Sequence, residues 1–151
     1  MKTLGDDFVA AVHFSHLKPK GFKKTRHTLA CDRGEYAEHY QIQGSAWNDR
    51  TEPWACYLNC GISFRGHPRR ITDGDFPRTH AWMRARLFVP SARAQYHVTR
   101  LDLAGMAAEL ADVIAKCSQY FERRHSVLRH AYENRLYARG FLADPDLQAN
   151  T

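Results

Sequence analysis

The stretch 54–64 shows the clearest alternation of apolar and polar positions in the chain. Side chains of a β-strand point alternately to opposite faces of a sheet, so this alternation predicts a half-buried strand. On the other face, Tyr57, Asn59 and Ser63 are expected to meet solvent. The positions predicted to face the core are Cys56, Leu58, Cys60, Ile62 and Phe64.

Three more strands are predicted around this one. The segments 22–31 and 35–43 are joined by the turn Asp32-Arg33-Gly34, which indicates a β-hairpin. The segment 81–89 is predicted as the fourth strand, and 96–98 as a short extended piece. Consecutive strands with short connections favour antiparallel pairing.

Helices are predicted before and after this strand region in the sequence. Thr3 and Asp6 have the spacing of a capping box at the start of a helix over 3–18. Apolar residues at helical spacing predict a second helix from 99 to about 123 and a third over 126–139. The sequence therefore predicts an α+β fold, a four-stranded antiparallel sheet with one face covered by an N-terminal helix and two C-terminal helices.

The length and composition are those of an ordinary globular protein. We expect the 151 residues to form one domain over 1–140, with a frayed tail over 141–151. No apolar run approaches the roughly 20 residues that span a bilayer, and the first residues lack the apolar segment of a secretory signal. We therefore expect a cytoplasmic protein without membrane contact, with its four cysteines reduced.

Metal binding is not favoured by the spacing of the candidate ligands. Cys56 and Cys60 on one strand face would lie about 13 Å apart at about 3.3 Å per residue, whereas each Zn–S bond is about 2.3 Å long. Buried small apolar residues are the better interpretation of this pair. His13 and His16 are spaced i, i+3 on the first predicted helix, and two histidines do not make a site. We expect no metal and no cofactor.

Nucleophilic catalysis has one candidate, Cys31, which lies next to the predicted turn. Its thiol would need a base and an oxyanion site, and His27 or His39 could approach it across the hairpin. Nothing in the sequence assembles that arrangement, so no catalytic residue is predicted.

The net charge of +6 and the pI of about 9.3 favour an acidic partner, either a protein or a nucleic acid. Two candidate basic clusters occur along the sequence. The first cluster flanks the first predicted strand and consists of Lys18, Lys20, Lys23, Lys24 and Arg26. The second occupies a long loop, predicted over 65–80 from its glycines and prolines, and consists of Arg65, Arg69, Arg70 and Arg78.

The outward face of the predicted sheet collects residue types that are typical of recognition surfaces. Aromatic residues and arginine are enriched at interface hot spots, and arginine can hold a carboxylate or phosphate with two hydrogen bonds. The alternative is an ordinary solvated sheet face with cross-strand pairs. The candidate protein-binding residues, chosen on the assumption that Tyr36, Tyr40 and Ile42 face the core, are His39, Gln41, Gln43, Tyr57, Asn59, Ser63, Trp82, Arg84 and Arg86.

Four short motifs also carry a family resemblance. They are Gly21-Phe22-Lys23-Lys24, Gln41-Ile42-Gln43-Gly44-Ser45, Leu58-Asn59-Cys60-Gly61-Ile62 and Arg84-Ala85-Arg86-Leu87. Their order and spacing over about residues 4–130 resemble the bacterial DUF4304 family, which has no known function. The resemblance implies a compact bacterial intracellular domain and carries over no catalytic residue. Some families of this general kind resemble immunity proteins, which neutralise a toxin made by the same bacterium.

These observations favour a non-enzymatic protein-binding module, most specifically an immunity-type inhibitor that occludes a toxin's active site. A toxin with an acidic surface suits a binder that carries a charge of +6. The alternative is a nucleic-acid-binding protein that uses its basic surface.

Overall fold

A computed structural model describes residues 2–67, 79–87 and 89–134. Within these ranges the chain forms an α+β fold with two α-helices and one antiparallel sheet. Helix α1 spans Leu4–Val12 and continues as a π-helical turn over His13–Leu17 and a 3-10 turn over Lys18–Lys20. Helix α2 spans Leu103–Glu133, and none of the described helices is long and apolar enough to cross a membrane.

The sheet contains six described strands in the hydrogen-bonded order β1-β2-β3-β4-β5, with β6 also paired to β4. Strand β4 is 11 residues long, so its residues 56–64 pair with β3 and its other side accommodates two short strands. There β5 pairs with residues 59–62 and β6 pairs with residues 54–56. The strands are β1 Lys23–Thr25, β2 Thr28–Asp32, β3 Tyr36–Gly44, β4 Trp54–Phe64, β5 Ala81–Arg84 and β6 Tyr96–Val98.

The prediction of four strands was wrong in number. A turn at Arg26 and His27 divides the predicted strand 22–31 into β1 and β2, and Arg26 adopts the left-handed conformation with φ 55°. Because no glycine or proline occupies this turn, its residue types do not mark it. The short extended piece predicted over 96–98 is strand β6, which completes the sheet beside β4.

The prediction of two C-terminal helices was also wrong. One helix of 31 residues runs through the break that was predicted between residues 123 and 126. The sequence there is Arg-Arg-His-Ser, without proline or glycine, so nothing interrupts the ladder of backbone hydrogen bonds. The predicted end of the last helix at 139 and the predicted domain boundary after 140 lie outside the described residues.

Both helices pack against the apolar face of the sheet. The predicted core positions of β4 are confirmed, since Cys56, Cys60 and Ile62 have no exposed surface and Leu58 and Phe64 are at most 4% exposed. Buried side chains that the helices contribute to the same core include Phe8, Val9 and Val12 of α1 and Leu110, Ile114, Cys117 and Phe121 of α2.

The first turn of α1 is closely packed and confirms the predicted capping box. The Thr3 N–H donates to Asp6 at 3.0 Å, and the Asp6 N–H donates to the Thr3 hydroxyl at 3.1 Å. The Thr3 backbone, His27 and the Thr3 hydroxyl together lower the pKa of Asp6 from 3.8 to about 2. Gly5 faces the indole of Trp54, and a Cβ on Gly5 would lie only 2.5 Å from that ring.

Candidate functional site

The strand register brings eight of the nine candidate binding residues onto one face of the sheet, opposite the helices. Directly paired residues of antiparallel strands share a face. Gln41 pairs with Asn59, Gln43 pairs with Tyr57, and Asn59 pairs on its other side with Arg84. We call this side of the sheet the polar face; its candidate residues are His39, Gln41, Gln43, Tyr57, Asn59, Ser63, Trp82 and Arg84.

Asn59 is the centre of a hydrogen-bonded network across three strands. Its Nδ2 donates to Oε1 of Gln41 at 2.7 Å and to Oε1 of Gln43 at 2.9 Å. Nη1 of Arg84 donates to Oδ1 of Asn59 at 2.5 Å and to Oε1 of Gln43 at 3.0 Å. Asn59 has no exposed surface, so the expectation that it meets solvent was wrong. Its neighbours in the network cover it and satisfy its buried amide.

Arg84 sets the direction of the hydrogen bonds in this network. A guanidinium has donors only, so Asn59 must turn its oxygen towards Arg84 and its NH2 group towards the two glutamines. The glutamines then accept through their oxygens, which leaves their NH2 groups as donors. Within the described ranges neither the Gln41 nor the Gln43 NH2 group donates a hydrogen bond. The network therefore presents surplus donors, while each of its amide oxygens already accepts at least one hydrogen bond.

The Arg84 side chain is held in place by neutral groups. Its guanidinium carbon lies 4.2 Å from the centre of the Tyr57 ring, and the Tyr57 hydroxyl accepts a hydrogen bond from Gln95 at 2.9 Å. Arg84 is half-buried, and in the described part of the chain no carboxylate oxygen lies within 4 Å of its guanidinium. By contrast, carboxylates pair with Arg33, Arg93, Arg100 and Arg129.

The remaining candidates contribute unequally to the polar face. His39 Nε2 lies 2.9 Å from the Ser63 hydroxyl, and Trp82 is half-buried opposite Gly61. Arg86 was wrongly placed on the face by the predicted strand 81–89. Strand β5 ends at Arg84, the 3-10 turn Ala85–Leu87 follows, and Arg86 projects from that turn as an exposed residue.

A basic cleft of about 1150 Å³ adjoins the polar face, between the β1–β2 hairpin and the start of α1. It shares His39, Gln41 and Gln43 with that face. Asp6 is the one carboxylate among its described lining residues, and it accepts a hydrogen bond from His27 at 2.8 Å. The cationic residues that line the cleft are Lys2, Lys23, Lys24 and Arg26.

The two predicted basic clusters are only partly brought together. Lys23, Lys24 and Arg26 of the first cluster line the cleft, whereas Lys18 and Lys20 lie on the 3-10 turn after α1 and do not line it. In the second cluster, Arg69, Arg70 and Arg78 lie outside the described residues. Sequence spacing alone missed Lys2, which reaches the cleft because α1 begins beside the hairpin.

The cysteines are placed as core residues. Cys56 and Cys60 are fully buried, and burial raises the pKa of the Cys56 thiol to about 12. Burial also raises the pKa of Cys31, which opposes the thiolate that a nucleophile requires. No group of three potential metal ligands occurs among the described residues, and His13 is engaged with the Phe22 carbonyl at 2.9 Å.

Glu38 is a buried charged residue that was not singled out from the sequence. It has no exposed surface and faces the helices. Its carboxylate accepts hydrogen bonds from Arg33 and Tyr40, both at 2.8 Å, and from the Ser118 hydroxyl at 3.0 Å. The alternation of β3 places Glu38 on the same side as Tyr40, so its burial was visible in the pattern. Its partners indicate a structural role between sheet and helix.

Comparisons with protein-family models, with curated proteins and with solved structures found no match for this chain. The resemblance to the DUF4304 family therefore stays a prediction.

Proposed function

We propose that this protein is a non-enzymatic binding module that recognises another protein with an acidic surface. The specific form of the proposal is an immunity-type inhibitor that occludes the active site of a bacterial toxin. The observation that carries it is Arg84, a half-buried cation that is fixed by neutral groups and has no carboxylate partner within the described ranges.

Such a cation supports binding because most of its side-chain entropy has already been lost before a partner arrives. The hydrogen bonds to Asn59 and Gln43 and the contact with Tyr57 restrict its rotamers. A pre-organised arginine loses less side-chain entropy on binding than a free one. A partner carboxylate would also supply the charge compensation that no described carboxylate gives Arg84 in the free protein.

The basic cleft extends the same electrostatic preference beyond one residue. Its described lining includes four cationic residues and a single carboxylate, which is already engaged with His27. Like-signed charge in a concave surface focuses its potential and speeds the encounter with an oppositely charged partner. The cleft would attract an acidic toxin, and the polar face would orient it, so that inhibition is by steric occlusion.

The experiment expresses the product of the neighbouring gene as the candidate toxin and measures whether this protein restores bacterial growth. Cells would express that toxin with the wild-type protein, with Arg84→Gln, or with Arg86→Gln, a matched variant with the same charge change on the exposed 3-10 turn. We expect growth with the wild type and Arg86→Gln, and lost protection with soluble, folded Arg84→Gln. Persistent toxicity with soluble wild-type protein, or full protection by Arg84→Gln, would contradict the proposal.

The basic cleft also favours a second candidate, the binding of nucleic acid. Neutralisation of phosphates by Lys23, Lys24 and Arg26 would make affinity fall steeply with salt. Fluorescence anisotropy of a labelled random oligonucleotide tests this candidate. We expect salt-dependent binding that weakens in Lys23→Ala/Lys24→Ala, and absence of binding at low salt would exclude it.

A further inference from the structure

We propose that Arg84, Gln41 and Gln43 together form a receptor for a single carboxylate group, supplied by an acidic side chain of the partner protein. This inference rests on the proposed function and names the chemical group that the polar face takes.

The surplus donors belong to one network that links β3 and β5 across Asn59 of β4. Nη1 of Arg84 is occupied by Asn59 and Gln43, and Nε and Nη2 donate no hydrogen bond within the described ranges. Those two nitrogens are the edge of a guanidinium that binds both oxygens of a carboxylate. The NH2 groups of Gln41 and Gln43 are unused in the same ranges and belong to the same network.

The buried amide of Asn59 fixes which groups of the network remain available as donors. Asn59 is fully buried, so its oxygen and its NH2 group must both be satisfied inside the protein. Rotating its amide would set its NH2 group against Arg84 and its oxygen against two glutamine oxygens. The orientation of the amides is therefore fixed, with every amide oxygen turned towards a donor inside the network and the glutamine NH2 groups left over as donors.

The chemistry favours a carboxylate over a phosphate. Arg84 supplies the one positive charge of the three receptor residues, and the oxygens of Gln43 and Asn59 lie against its Nη1 at 3.0 and 2.5 Å. Arg84 therefore compensates a ligand that carries one negative charge, whereas a second negative charge would have no cation among these residues to compensate it. A carboxylate carries one charge and has two oxygens in the plane that the guanidinium edge requires.

The test is an NMR titration of the full-length, ¹⁵N-labelled protein with a capped oligoglutamate peptide. The observed resonances are the Arg84 Nε–H and the side-chain NH2 groups of Gln41 and Gln43. We expect oligoglutamate to shift these resonances, and capped oligoglutamine at the same ionic strength to leave them unchanged. Inorganic phosphate is the third arm, and we expect it to bind more weakly at these groups than the peptide does.

Three variants test whether oligoglutamate binds through Arg84 and Gln43. Arg84→Gln should weaken oligoglutamate binding about tenfold or more, whereas Arg86→Gln, with the same net charge, should bind like the wild type. Gln43→Glu places a carboxylate beside Arg84 and should block the peptide while the protein stays folded. Folding of each variant is checked by its dispersed backbone spectrum and its melting temperature.

The outcomes separate this inference from the proposed function. Unshifted Arg84 and glutamine resonances at millimolar oligoglutamate, or equal binding by wild type and Gln43→Glu, would refute the carboxylate receptor. Shifts confined to the cleft residues Lys23 and Lys24 would refute it as well. If oligoglutamate binds as expected but Arg84→Gln still protects cells from the toxin, the receptor stands and inhibition through this face does not.

Discussion

Replacing Glu38 with alanine tests the contacts that hold helix α2 and the hairpin to the sheet. Glu38 is fully buried on β3, and it joins three separate parts of the chain. Arg33 reaches it from the hairpin turn, Tyr40 from the same strand, and Ser118 from α2, at distances of 2.8, 2.8 and 3.0 Å. The substitution removes the acceptor for all three donors at once.

The magnitude follows from what each donor loses. Removing one partner of a buried ion pair costs about 3–5 kcal/mol. The Arg33 side chain is 36% exposed, so water compensates its charge and the lower end of that range applies. Tyr40 is fully buried, and an unsatisfied buried hydroxyl alone costs about 1–3 kcal/mol. We expect Glu38→Ala to lower the free energy of unfolding by about 3 kcal/mol, a large part of the roughly 5–15 kcal/mol of an ordinary domain.

Urea denaturation measures this loss as a lower midpoint at an unchanged slope. The matched control is Glu109→Ala, which also removes a glutamate from an arginine. There the partner is Arg93 at 2.6 Å, with side chains 54% and 36% exposed, so we expect a loss below about 1 kcal/mol. Equal midpoints for Glu38→Ala and Glu109→Ala would show that the buried carboxylate does not stabilise the fold.

The start of helix α1 supports two further predictions. Gly5→Ala should destabilise the protein by about 1–3 kcal/mol in thermal unfolding because its Cβ would overlap the indole ring of Trp54. The control is Gly105→Ala, which has no atom within 4 Å of the new Cβ and should stabilise helix α2 by up to about 1 kcal/mol. A Gly5→Ala variant more stable than the wild type would contradict the packing against Trp54. The hydrogen bonds from Thr3 and His27 lower the pKa of Asp6, so its contribution to stability is present above pH 3.8 and is lost as the pH falls towards 2. Asp6→Asn should therefore be less stable than the wild type at neutral pH, and the difference should shrink over that interval in urea titrations; a pH-independent difference would refute it.

The candidate site was predicted in part because the alternation of side chains between the two faces of a strand is a local property. The alternation of β4 placed Tyr57, Asn59 and Ser63 opposite the apolar positions, and the register bears this out. The same reasoning failed for Arg86, because β5 ends at Arg84 and side chains no longer alternate between two faces beyond the end of a strand. The alternation also predicts only the side of the sheet on which a residue lies and not its exposure, so it did not reveal that Asn59 is buried.

Local pattern by itself determined the strand β4, the capping box at Thr3 and the apolar side of α2, because strand and helix periodicity arise from backbone geometry within a few residues. Only the tertiary structure decided which residues meet across strands and helices. Asn59 contacts Gln41, 18 positions earlier, and Arg84, 25 positions later, while Glu38 contacts Ser118 across 80 positions. Such pairings depend on strand register and on how the whole chain buries its apolar face, which no short stretch of sequence contains.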